Sequence, residues 1–272
     1  MSETNDPALW RKALPWPGPD THKHQRGRLG VVSGGRLSTG AARLAARAGL
    51  RVGAGLVRIL CPPDAGTVIA GAVEAVMVSD FETPEALAKL AEPLDCVVIG
   101  PAAGLTEATE RNLAALAGTD AALVIDADAL TLFKGRAEAL FPLLGAADVL
   151  TPHEGEFERL FPGLLANGRE AAAIEAARAS GAHLVLKGRE TVIAGPDGRV
   201  RVNRNGTPWL ATAGSGDVLA GLIGGLIAQG MPTFEAASAA VWMHADAAGR
   251  FGPGLTAEDL PGLIPAVLRD LA

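Results

Sequence analysis

The sequence predicts an α/β fold, with a mostly parallel central sheet between two layers of helices and one antiparallel hairpin late in the chain. Three observations predict it. Short apolar runs alternate with longer Ala/Leu-rich stretches along the 272 residues, the order expected of strand–helix units. The short runs carry Val, Ile and Leu without polar alternation, the pattern of strands covered on both faces. Near the end, Gly195-Pro196-Asp197-Gly198 separates two short β-prone runs, and Asp-Gly in that setting marks a hairpin.

Taken in order, Leu29–Ser33 reads as the first strand and Gly40–Val52 as the helix after it. Leu56–Leu60, Cys96–Gly100 and Ala122–Asp126 read as further strands, with a helix over Glu107–Ala117. A strand ends at Asp148-Val149-Leu150. A helix over Arg169–Ser180 and a strand over Leu184–Lys187 come next. Thr191–Ala194 and Val200–Asn203 form the hairpin, and two long apolar helices follow at Asp217–Gln229 and Thr233–Arg250. One domain, 23–272, is expected, preceded by a polar, proline-rich arm over 1–22 that reads as loose.

Composition narrows the function. Hydrophobic residues make up 49% and charged residues 20%, so a large core is available, and the net charge of -6 comes without a basic block. Nucleic acid is therefore not an expected partner. Cys61 and Cys96 show no metal-binding spacing, and a reducing cytoplasm is the expected compartment. No apolar run approaches the length of a membrane span.

The chemistry concentrates in Ala211-Thr212-Ala213-Gly214-Ser215-Gly216-Asp217-Val218-Leu219-Ala220-Gly221. A small-residue turn runs straight into an apolar helix, whose free N–H groups and dipole favour an anion. A carboxylate repels a phosphate, so Asp217 fits better as a base that takes a proton from a hydroxyl while backbone N–H groups hold the phosphoryl group. On its own, such an Asp is more often an N-cap.

Thr151-Pro152-His153-Glu154-Gly155-Glu156 follows a strand end, where open parallel sheets bind ligands. His153 is a candidate substrate contact. Glu156 reads equally as a water-mediated Mg²⁺ ligand or as part of the helix start. Lys187-Gly188-Arg189-Glu190-Thr191, at another strand end, offers two cations to nucleotide phosphates, although a surface Lys-Gly turn is the commoner meaning. Asp126-Ala127-Asp128 is either a polar site or a helix cap. Ser33-Gly34-Gly35 and Gly100-Pro101-Ala102-Ala103-Gly104 read as tight turns.

The order of these motifs resembles the NAD(P)H-hydrate dehydratases, a branch of the ribokinase-like superfamily, from about residue 23 to the C-terminus. They are the glycine pair at 34–35, Gly40-Ala41, Arg51-Val52-Gly53-Ala54-Gly55-Leu56-Val57, Gly100-Pro101, Asp126-Ala127-Asp128-Ala129-Leu130, the Thr151–Glu156 run, Lys187-Gly188 and Gly214–Gly221. The resemblance implies a ribokinase-like three-layer sandwich. It also implies dehydration of the S-epimer of hydrated NADH or NADPH, with ADP or ATP as phosphoryl donor and Mg²⁺ as cofactor. The ring hydroxyl is phosphorylated and phosphate is then lost. By position, Asp217 becomes the base and Gly214, Ser215 and Gly216 the anion hole. Ala41, Gly104, His153 and Asp217 line the hydrate site. Lys187, Gly188, Arg189, Glu190 and Thr191, with Gly216, hold the nucleotide. A homo-oligomer, possibly a tetramer, and a separate epimerase are further implications.

Four residues depart from the family pattern: Arg36 for serine, Ala102 and Ala213 for glycine, and Glu154 for proline. The competing reading is a vitamin-precursor or sugar kinase of the same fold. Many such kinases carry Asn where this chain has His153.

Overall fold

In the computed structural model, which describes residues 2–272, ten strands form one sheet. The first part of the chain gives β1 (Glu3–Thr4), β2 (Arg28–Val32), α1 (Gly40–Val52), β3 (Leu56–Cys61), α2 (Pro63–Ala70), β4 (Met77–Asp80) and α3 (Pro84–Ala91). The middle gives β5 (Cys96–Ile99), α4 (Glu107–Ala117), β6 (Ala122–Ile125), α5 (Asp128–Thr131), α6 (Ala137–Leu140), β7 (Val149–Leu150) and α7 (Glu154–Leu160). The last part gives α8 (Arg169–Ser180), β8 (His183–Leu186), β9 (Thr191–Ala194), β10 (Val200–Asn203), α9 (Ser215–Ala228), α10 (Thr233–Phe251) and α11 (Leu260–Leu271).

The strand order is β1-β10-β9-β8-β7-β6-β5-β2-β3-β4. Among the described residues β9 alone runs against the others, through the expected hairpin with β10. Successive side chains of each strand point to opposite faces, and both faces are covered. Cys96 and Val98 join one core with α1, α9, α10 and α11. Val97 and Ile99 join the other with α3, α4, α7 and α8. This double burial is why the strands read as unbroken apolar runs.

The topology places the site. From β2 the chain moves to β3 and β4 on one side, then crosses back to β5 on the other side of β2. The crevice outside the carboxyl ends of β2 and β5 is therefore the switch point of the sheet, where such folds bind ligands. The loops that follow, 33–39 and 100–106, meet there: a Cβ on Gly34 would stand 2.0 Å from the Ala102 carbonyl oxygen. Helices α1 and α9 also approach closely, and a Cβ on Gly221 would stand 2.1 Å from the Ala45 carbonyl oxygen. Their N-termini consequently open side by side onto the same end of the sheet.

Some expectations change. The segment expected to be a loose arm is docked: β1 pairs with β10, and Trp10 is buried with its ring centroid 5.9 Å from that of Trp242. Tertiary packing of one large aromatic overrides the polar composition. Strand β4 and helices α2, α3 and α11 were not predicted. Strand β4 is a partly exposed edge, and α11 carries Pro265 in its interior, a residue that ordinarily argues against a helix.

Candidate functional site

Four predicted strands end one residue earlier than their apolar runs, at Val32, Ile99, Ile125 and Leu186. The next residues, Ser33, Gly100, Asp126 and Lys187, open the site loops. Asp126 is 1% exposed, and its Oδ1 accepts from Lys187 Nζ at 2.7 Å. A buried carboxylate requires such a partner. The turn holding it is strained: Ala127 has φ 50° and ψ -118°, a region that costs an L-residue roughly 1–3 kcal/mol. The strained peptide separates two carboxylates, with Asp126 on Lys187 and Asp128 Oδ2 accepting from the Gly104 N–H at 2.8 Å.

Helix α9 supplies the opposite wall. Gly214 is its left-handed N-cap, with φ 87°. Ser215, Gly216 and Asp217 form the first turn, whose N–H groups lie outside the helical ladder. Ser215 N–H makes only a long bond of 3.4 Å, to the Thr212 carbonyl. A Cβ on Gly216 would stand 3.5 Å from Lys187 Nζ and 3.7 Å from Asp126 Oδ2. The glycine therefore leaves room where cation, carboxylate and helix dipole converge. Ala213 keeps a negative φ, since Ala102 and Ala127 are the positive-φ non-glycine residues among those described.

Asp217 stands in the first turn of α9, half-buried. Burial above all, with repulsion from Asp126 and Asp128 and against the attraction of Lys187, raises its carboxyl to about 6. A carboxylate poised near neutrality is suited to take a proton from a hydroxyl. Behind this turn, His244 Nε2 lies 3.3 Å from Ser215 Oγ. Burial holds His244 down to about 4, so it is neutral at pH 7.

A cavity of about 770 Å³ opens beside this point, lined among others by His153, Lys187, Gly188, Arg189, Thr191 and Gly216. Asn203, Thr207, Val241 and His244 also belong to its walls. Its size suits a nucleotide-sized ligand. Among the residues expected to hold nucleotide, Glu190 differs. Its side chain turns to Arg204 at 3.3 Å and its carbonyl to Arg169, outside this cavity. Ala41, at the start of α1, and Gly104, with φ 90°, lie towards the crevice at the switch point. His153 lines the cavity, bridged to Lys187 just beyond the carboxyl ends of β7 and β8.

Glu156 is tied to the helix start. Its Oε2 accepts from the His153 N–H at 2.8 Å, while His153 Nδ1 accepts from the Gly155 and Glu156 N–H groups, a capping box. Among the described residues no three His, Cys, Asp or Glu side chains gather as a metal site.

Of the departures, Arg36 is exposed and its N–H donates to Asp64 Oδ2 at 3.4 Å. Glu154 pairs with Arg169. Ala102 occupies the left-handed region at φ 53°, where glycine would be unstrained.

The structure brings together Asp217, the α9 turn and Lys187, which the sequence offered as base, anion hole and nucleotide contact. Sequence reasoning left Asp126 undecided and missed His244, Asn203 and Thr207. An Asp at a strand end is ambiguous until its partner is known, and a His on an apolar helix normally reads as core.

Sheet, switch point and paired helix N-termini define a ribokinase-like α/β protein. A solved Bacillus subtilis structure, an ADP/ATP-dependent NAD(P)H-hydrate dehydratase co-crystallised with ATP and Mg²⁺, superposes with a TM-score of 0.86 at 27% identity, covering 100% of this chain and 99% of that one. The family model for NAD(P)H-hydrate dehydratase matches residues 29–263, and this chain belongs to that family. The ADP-dependent (S)-NAD(P)H-hydrate dehydratase of Neisseria meningitidis is 39% identical over 92% of this chain and 86% of its own length. A bifunctional NAD(P)H-hydrate repair enzyme of Gloeobacter violaceus is 42% identical over 97% of this chain. The match covers 54% of that relative, so the chain spans about half the length of the bifunctional relatives. Among the described residues no helix is long and apolar enough to cross a membrane.

Proposed function

We propose that this chain dehydrates the S-epimer of hydrated NADH or NADPH, with ADP or ATP as phosphoryl donor. The observation that carries the reading is the placement of Asp217. A carboxyl raised to about 6 sits in the first turn of a helix whose neighbour Gly216 faces Lys187.

The hydrate lies in the crevice against Ala41, Gly104 and His153, with its ring hydroxyl at Asp217. The nucleotide occupies the adjoining cavity, with its phosphates towards Lys187, Arg189 and the N–H groups of Gly214, Ser215 and Gly216. Asp217 takes the hydroxyl proton as the oxygen attacks the terminal phosphorus, and AMP leaves from ADP, or ADP from ATP. The α9 N–H groups and Lys187 stabilise charge on the transferred phosphoryl group. The ring C–O bond then breaks with phosphate as leaving group, and loss of a neighbouring C–H proton restores the double bond. Glu156 would hold Mg²⁺ through water, and the ion would supply charge neutralisation at the nucleotide phosphates. The same reading takes a homo-oligomer and a separate epimerase as its partners.

The test is incubation with hydrated NADH and Mg²⁺, with ADP, ATP or neither. The expected result is recovery of reduced-cofactor absorbance that depends on one nucleotide, with stoichiometric phosphate release. Failure of both nucleotides with folded protein, together with rapid phosphorylation of a vitamin precursor or sugar, would replace this reading with a kinase.

A further inference from the structure

The segment 3–10 lies far from Asp217 in sequence, yet its polar groups converge on one wall of the nucleotide cavity. Asn5 is buried. Its Nδ2 donates to Asn203 Oδ1 at 2.9 Å and to the Ser238 carbonyl at 2.8 Å, and its Oδ1 accepts from Trp10 Nε1 at 3.1 Å. Asn203, which lines the cavity, passes the network on through Nδ2 to Asn205 Oδ1 at 2.6 Å, and Asn205 donates to the Trp242 carbonyl at 3.1 Å.

A second route runs beside it. Arg204 donates to Thr4 Oγ1 at 2.9 Å and to Glu190 Oε1 at 3.3 Å. It thereby ties β1 to the loop that carries Lys187, Arg189 and Thr191. A third is apolar: Trp10 packs on Trp242 of α10, the helix that gives Val241 and His244 to the cavity. The cavity wall between Asn203 and Thr207 has no regular structure of its own until the short turn at Pro208. Its order therefore depends on these side-chain bonds. Buried, fully partnered amide networks of this kind fix one backbone arrangement.

We infer that residues 3–10 form a strap that orders the Asn203–Thr207 wall and the Lys187–Thr191 loop for nucleotide, making Thr4 and Asn5 positioning residues for nucleotide binding. The inference rests on the reading that this cavity takes the adenine nucleotide. By linkage the coupling is reciprocal: whatever factor the docked strap adds to nucleotide affinity, bound nucleotide adds to strap docking.

The experiment compares the full chain with Asn5→Ala, Thr4→Val and Thr4→Ser. ADP affinity is measured by calorimetry, KM is measured separately for ADP and for the hydrate, and exchange of the Asn5 amide is followed with and without ADP. That amide donates to the Val202 carbonyl at 2.9 Å. The expected result is an ADP Kd about tenfold weaker in Asn5→Ala, with the hydrate KM within twofold of wild type. Thr4→Val falls between, and Thr4→Ser, which keeps the hydroxyl, matches wild type. In the wild type, ADP slows Asn5 amide exchange by the same factor. Equal ADP affinity in wild type, Asn5→Ala and Thr4→Val overturns the strap, whatever happens to thermal stability. Should Asn5→Ala fail to fold, Thr4→Val decides, because it alters only an exposed hydroxyl. Absence of ADP binding in the wild type itself would instead remove the cavity assignment on which the strap depends.

Discussion

Lys187 Nζ stands 2.7 Å from Asp126 Oδ1, and the pair lies across the first turn of α9 beside Gly216. The contact joins two strand ends that are 61 residues apart in the chain. It sets both the position of the ammonium and part of the field at Asp217, because Asp126 repels the Asp217 carboxylate while Lys187 attracts it.

Asp126→Asn therefore acts on two observables. Loss of the like charge lets Asp217 ionise at lower pH, so the acid limb of kcat/KM shifts below its wild-type position near pH 6. The groups facing Asp217 are Asp126, Asp128 and Lys187, and only the first changes. At the same time the ammonium loses its charged anchor, and the plateau rate falls by about a hundredfold. A full pH–rate profile checks both. An unmoved acid limb would show that Asp126 does not reach Asp217 electrically.

Asp217→Asn separates binding from chemistry. Nucleotide affinity stays within a few-fold, while turnover falls by about a thousandfold or more, the scale of general-base loss. The stability effect has a definite sign. The folded chain holds this proton up to about 6 instead of 3.8, so it binds more protons than the unfolded chain between those values, and stability falls as pH rises through them. Asparagine removes that loss. The variant melts higher than wild type at pH 8, by about 2 kcal/mol of stability after allowance for solvent screening, and the difference vanishes near pH 3, below the unfolded value of 3.8. Thermal melts at the two pH values check it.

Much of this was legible in the sequence, for physical reasons. Strands covered on both faces leave unbroken apolar runs, so β5 and β6 stood out. A small-residue turn entering an apolar helix leaves the first N–H groups free, so α9 and Asp217 stood out too. What was hidden depends on partners distant in the chain. Asp126 acquires meaning only through Lys187. Asn203, at the end of a predicted strand, and Asn5, in the arm, carry no signal of a partnership until β1 docks on β10. Glu156 offered two meanings, and the bond from the His153 N–H shows that it serves the helix start, which is one of them. The strap was misread as loose because a short, polar edge strand carries almost no periodic signal.

Ala127→Gly tests whether backbone strain is part of the site. At φ 50° and ψ -118° the alanine Cβ is crowded and glycine is not. The variant gains about 1 kcal/mol once the extra entropy of unfolded glycine is subtracted. It also frees the peptide that aims Asp126 at Lys187 and Asp128 at the Gly104 N–H, and turnover falls several-fold. Ala102→Gly relieves a similar strain, at φ 53°, without touching either aspartate, so it stabilises and leaves turnover unchanged. Chemical denaturation and steady-state rates on both variants check this. Equal kinetic effects in the two would mean that the Ala127 conformation does not aim the carboxylates.

The close approach of α1 and α9 gives the last prediction. Both helices deliver site residues from their first turns, Ala41 from one and Gly216 and Asp217 from the other. Their separation is set where Gly221 lies against the backbone of Ala45. A Cβ there would stand 2.1 Å from the Ala45 carbonyl oxygen and 2.6 Å from the Ala45 Cα. Backbone cannot swing aside as a side chain can, so Gly221→Ala forces the helices apart and costs about 1–3 kcal/mol. The shift reaches the crevice, so the hydrate KM rises several-fold while ADP affinity changes less, because Lys187 and the cavity loops belong to other elements. Gly249→Ala in α10 is the control. A Cβ there meets nothing within 4 Å, and the helix gains roughly 0.5–1 kcal/mol. Thermal melts with KM values for both substrates check the pair. If Gly221→Ala proves as stable as Gly249→Ala, the helix spacing is not fixed by this contact.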